Sequence, residues 1–151
     1  MFDSSPSAAA VWTVEDWRTL PGGSREQGET LDETVARELM EEAGCALTGP
    51  VNWFASFTVT NPTDSEPWRS WHPFPGSAWL VGVAPVQVVG PPGNPADGEH
   101  VVDVQTLSIT DAIGYLSRFD SGGHAQLVAL ARDLGLLTTS RGSGSLGGNY
   151  R

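Results

Sequence analysis

The sequence predicts an α/β sandwich, with helices on both sides of a mixed central sheet, and three observations carry that expectation. Leu31, Val35 and Leu39 recur every four residues and form an apolar stripe that can pack on a sheet. VNWFASFTVT (51–60) and SAWLVGVAPVQVV (77–89) are rich in Val, Phe and Trp and read as strands. HAQLVALARDLGLL (124–137) puts Leu127, Leu130, Ala131 and Leu134 on one stripe of a terminal helix. Strands and helices in this order suit a layered α/β domain.

The elements follow in chain order. Residues 1–10 (MFDSSPSAAA) are small and polar and read as a flexible N-terminus, with AAVWTV supplying a first strand and Trp17 to Leu20 a short second one. Pro21, Gly22 and Gly23 open a turn-rich loop. Thr30 and Glu33 have the spacing of a reciprocal capping box, so a helix starts near Leu31. Ala36 and Ala43 allow that helix a close approach, Gly44 is a left-handed stop, and Cys45 acts as a small hydrophobe opening the next strand. HVVDVQTL is a further strand with Val102, Val104 and Thr106 on one face. ITDAIGYLSRF forms a short helix capped at Thr110. The domain spans 11–137, and the Gly/Ser-rich stretch 138–151 reads as a disordered tail.

A length of 151 residues suits a single domain. Eighteen acidic against eight basic residues give a formal charge of −10, and seven of the acids lie between Glu26 and Glu42. No run of Lys or Arg can replace the counterions of a nucleic-acid duplex, so extended duplex binding is disfavoured. A lone cysteine forbids an intrachain disulfide, and no segment has the make-up of a signal peptide or a membrane span. A cytoplasmic protein acting on a small phosphorylated ligand is expected, and a homodimer is open to it.

The acidic run is organised. Gly23, Glu29, Arg37, Glu38, Leu39, Glu41, Glu42 and Gly44 fill the fixed positions of G-x5-E-x7-R-E-U-x-E-E-x-G-U, with Cys45 in the final aliphatic slot. On a helix, Glu38, Glu41 and Glu42 would project from one face within a turn. Clustered carboxylates repel in an empty site and suit a hard divalent cation, Mg2+ first and Mn2+ second. A diphosphate, itself anionic, needs such a cation to bind among them. A solvated acidic helix face is the alternative, but it gives no reason for the glycines and the Arg-Glu step.

The pattern resembles the Nudix box. That resemblance implies a Nudix-type sandwich and a metal-dependent pyrophosphohydrolase of nucleoside diphosphate derivatives. It implies that Glu38, Glu41, Glu42 and the Gly22 carbonyl ligate metal, that Arg37 and Glu29 form a structural pair, and that Gly23 and Gly44 shape the loop-helix unit. The general base would be Glu41 or a downstream carboxylate, with Glu99 the best placed. Trp68 and Trp71, in a Pro-rich loop with His72 and Phe74, are candidates to stack on a nucleobase, or else pack beneath the loop. Fewer residues precede Gly23 than the family usually carries, so either the sheet is smaller than usual or the reading frame continues upstream, and the buried area a small domain needs favours the second. A non-catalytic module sensing ADP-ribose or a related nucleotide is the rival reading.

Overall fold

The computed structural model describes residues 7–13, 18–60, 66–67, 70–98, 100–119, 123–137 and 145–150. Strands β1 (Ser7–Thr13) and β2 (Arg18–Thr19) come first. Helix α1 (Leu31–Glu38) follows and runs on into a π-helical turn, Leu39–Ala43. Then come β3 (Cys45–Leu47), β4 (Asn52–Thr60), β5 (Gly76–Val88), β6 (Val101–Ser108), α2 (Ile109–Phe119), α3 (His124–Asp133) and β7 (Ser145–Tyr150).

Strand β5 organises the molecule because its alternating side chains enter two cores. Val83 packs with Leu20, Ile109, Ala112, Leu116 and Val128 beneath α2 and α3. Val86 packs with Val35, Leu39, Ala43, Cys45 and Val101 beneath α1. Helices therefore cover opposite faces, as an α/β sandwich requires. Each fully buried Val or Leu contributes roughly 1.5–3 kcal/mol, and Val35 and Leu39 are both buried as their spacing predicts.

The expectation of a mixed sheet is corrected. Strands run β2-β1-β6 in one sheet and β3-β5-β4 in the other, with β7 added to β5, and every described ladder is antiparallel. A parallel neighbour needs a long crossover, and the consecutive strands that pair here, β1 with β2 and β4 with β5, follow one another with no described helix between them.

Other differences have local causes. Ser108, not Thr110, caps α2: its hydroxyl accepts from the Asp111 N–H at 3.1 Å. Val102 is exposed while Val101 is buried, because the β1–β6 register shifts at Trp12/Thr13 and rephases the strand. On α3 the buried stripe is Ala125, Val128 and Ala131, which lets the helix lie close, whereas Leu130 and Leu134 are exposed. Ala36 is exposed too, and Thr34 takes the buried place beside Val35.

Both ends enter the sheets. Strand β1 begins at Ser7, within the stretch expected to be flexible, and β7 pairs with β5 from Leu80↔Tyr150 to Pro85↔Ser145, within the expected disordered tail. A ladder is built from main-chain groups seeking partners, so composition conceals it. No described helix is long and apolar enough to cross a membrane.

Candidate active site

The loop before α1 is anchored from below. Leu20 is buried, its N–H donates to His124 Nδ1 at 3.1 Å, and Pro21 is fully buried. Arg18, at the end of β2, lies over the Phe119 ring of α2 at 4.5 Å from its centroid. Gly22 and Gly23 thus leave the core at a fixed point.

Helix α1 starts as its capping box requires. The Thr30 N–H donates to Glu33 Oε2 at 2.8 Å and the Glu33 N–H to Thr30 Oγ1 at 3.3 Å; such a cap contributes about 1 kcal/mol. Buried Thr34 donates its hydroxyl to Glu29 Oε2 at 3.0 Å, tying the loop to the first turn.

Arg37 then gathers the loop and the helix. Its Nε donates to Glu29 Oε1 at 2.7 Å and Nη2 to Glu29 Oε2 at 3.1 Å, a two-point grip that a lysine could not make. Nη2 also donates to the Ser24 carbonyl at 2.9 Å. Nη1 reaches Glu38 Oε1 at 2.9 Å and Glu41 Oε2 at 3.2 Å. All five guanidinium N–H groups therefore have an acceptor. The hydrogen bonds from Arg37 hold the Glu29 carboxyl at about 2, against an ordinary 4.5, and these carboxylates in turn push the Arg37 pKa up.

Glu38 is the most enclosed of the three helix carboxylates. Burial pushes its carboxyl up, against the pull of Arg37. Its carboxylate fills the space where a Gly23 side chain would begin, which accounts for glycine there. Glu42 turns toward the loop, accepting from the Gly22 N–H at 2.8 Å.

The helix does not stay α-helical to its end. From Leu39 it widens into the π turn, so Glu41 and Glu42 stand outside the plain α register assumed from their spacing. Gly44 closes it in the left-handed conformation, φ 60°, with its N–H pointing back to Leu39 and Met40 carbonyls. Cys45 is buried, and burial pushes its thiol up, which suits packing and not reactivity.

Two further residues escaped the sequence reading. The Gly93 N–H donates to the Met40 carbonyl at 3.1 Å and the Asn94 N–H to the Glu41 carbonyl at 3.2 Å. The weak signal was a glycine-proline loop, PPGNPADG, which points to a turn but not to a partner.

The donors expected to meet a cation are oxygens of the kind a hard ion takes: Arg37 is drawn among three carboxylates, Glu29, Glu38 and Glu41, and Glu42 stands at Gly22. In that respect the residues fit a divalent metal. Among the described residues no three His, Cys, Asp or Glu side chains yet converge on one position; Glu38 and Glu41 share Arg37, and Glu42 is engaged at Gly22.

Glu99 and Trp68 lie outside the described residues. Trp71 is exposed in the turn that leads into Gly76, the first residue of β5. The box helix meets the other end, where Cys45 pairs with Val88 and the Val89 N–H donates to the Gly44 carbonyl at 2.9 Å. The structure thus brings Gly23, Glu29, Arg37, Glu38 and Glu41 together.

A family model described as NUDIX domain matches residues 5–130. No curated protein and no solved structure matches the chain. Members of that family are in general hydrolases of pyrophosphate bonds acting on acid anhydrides, commonly with divalent metals and nucleotide derivatives. With a match over most of its length and the loop-helix unit built as described, the chain belongs to the NUDIX domain family.

Proposed function

We propose that this protein hydrolyses the pyrophosphate linkage of a nucleoside diphosphate derivative, yielding a monophosphate and a phosphorylated remainder. The observation that carries this reading is the double reach of Arg37 Nη1 to Glu38 and Glu41, which keeps two carboxylates side by side at the mouth of the Gly22–Ser24 loop.

Glu38, Glu41, Glu42 and the Gly22 carbonyl would hold the cation, Mg2+ or Mn2+. When bound, it supplies the positive charge against which an anionic diphosphate and acidic side chains can meet. Arg37 and Glu29 orient the carboxylates and do not touch substrate. Glu41, half-exposed at the end of the helix, takes the proton of the attacking water, with Glu99 as the second candidate for that role. The strongly acidic chain suits a small ligand bridged by a cation and not an extended polyanion, and we place its action in the cytoplasm as the simplest reading.

The test is turnover of a panel of nucleoside diphosphate derivatives with Mg2+, products being identified by mass. Chelation with EDTA should abolish it. Glu41→Gln should lower it by about two orders of magnitude or more with the fold intact. Binding of a nucleotide with no turnover by the wild-type chain would overturn hydrolysis in favour of sensing.

A further inference from the structure

The last turn of the box helix is completed from outside. A helix leaves its terminal carbonyls short of partners, and here the chain after β5 adds donors, a second one at Met40, which already accepts from Gly44. The Val89 and Gly90 N–H groups donate to the Gly44 carbonyl at 2.9 and 3.3 Å, Gly93 donates to Met40, and Asn94 donates to Glu41. Gly93 runs close enough that a Cβ there would stand 3.4 Å from Glu41 Cα.

Asn94 is the residue in which these contacts are locked. Among the described residues it is the one non-glycine with a positive φ, 44°, a conformation that asparagine tolerates and most side chains do not. Its side chain makes a second attachment: Nδ2 donates to the Val101 carbonyl at 3.1 Å and Oδ1 accepts from the Val101 N–H at 2.8 Å. Val101 is buried in the same core as Val35, Leu39 and Ala43. Through Asn94, then, the Glu41 backbone is tied to the first residue of β6 and to the core under the helix.

We propose that Asn94 is a positioning residue, which fixes the π turn so that the Glu41 carboxylate keeps its place beside Glu38. It acts through the Glu41 main chain and touches no substrate. The inference rests on the hydrolase reading for its kinetic consequence, but the coupling of Asn94 to the turn stands independently.

Three variants separate the attachments. Asn94→Gly keeps the positive φ and the N–H to Glu41 while losing the grip on Val101. Asn94→Ala loses that grip and is strained at this φ as well. Asn94→Asp keeps an acceptor for the Val101 N–H. The measurements are kcat and KM with Mg2+, Mn2+ affinity by titration without substrate, and amide hydrogen exchange at Gly44 and Gly93. For Asn94→Gly and Asn94→Ala we expect kcat to fall about 10- to 100-fold, KM to stay within roughly twofold, Mn2+ binding to weaken and exchange at Gly44 to rise. Asn94→Asp should recover part of the loss. Wild-type kcat, Mn2+ affinity and Gly44 exchange in Asn94→Gly would overturn the proposal, as would activity lost only in proportion to the unfolded fraction. If the wild-type chain hydrolyses no diphosphate, the hydrolase reading fails by itself, and Mn2+ affinity with amide exchange still decides the role of Asn94.

Discussion

The Glu38 carboxylate lies where a side chain on Gly23 would have to be. The obstructing group is the end of a flexible side chain and not backbone, so the fold can yield by swinging the carboxylate away. Gly23→Ala is therefore expected to keep its melting temperature within a few degrees, roughly what 1 kcal/mol would move, while turnover drops about 10- to 100-fold. Parallel measurement of kcat and thermal unfolding checks this; a large loss of stability with unchanged kcat of the folded fraction would contradict it.

Gly44 is the opposite case. Its φ is positive, and a Cβ would run into the backbone of Gly90 and Pro91, which cannot rotate aside. Gly44→Ala should cost at least about 1–3 kcal/mol from the backbone conformation alone, with further loss from the displaced strand. Denaturant unfolding of the variant against the wild type reads the difference.

The Arg37–Glu29 pair makes stability depend on acid in a defined direction. The folded-state pKa of Glu29 is depressed to about 2 from 4.5, so the stabilisation is whole above about pH 4.5 and is lost as the pH falls toward 2. Glu38, pushed up by burial, works in the opposite sense, so the comparison must be a difference. Wild type should exceed Glu29→Gln in melting temperature at neutral pH, and the gap should close as the pH falls through that window. A gap independent of pH would mean that Glu29 acts by packing and not by charge.

Trp71 tests where the base is read. A base stacked on it would make Trp71→Ala weaken nucleotide binding by roughly 1–3 kcal/mol and spare a base-free diphosphate. Trp71 is exposed in the turn that leads into β5, so its removal should leave the melting temperature nearly unchanged, and a loss confined to the nucleotide is the outcome expected of a stacking ring. Equal losses for both ligands, or a matching loss of stability, would mean that the base is read elsewhere.

Much of the site was legible because its determinants are local. The capping box, the Arg37–Glu29 grip and the Gly44 stop join residues within one helix or its adjoining loop, and the helical repeat converts their spacing directly into contact. The buried stripe was legible on α1 and misread on α3. There the leucines are the larger apolar side chains, but close packing selected Ala125, Val128 and Ala131, leaving Leu130 and Leu134 outside.

By itself, the sequence determined the α/β class, the helix bounds at Leu31 and Gly44, and the set of acidic side chains around Arg37, since each follows from periodicity or capping over a few neighbouring positions. Tertiary structure alone decided that β7 lies along β5 and that the helix ends in a π turn braced by Gly93 and Asn94. Those outcomes depend on main-chain groups finding partners far away in the chain, and a backbone N–H or carbonyl is the same in nearly every residue, so no pattern of side chains announces which partner it will find.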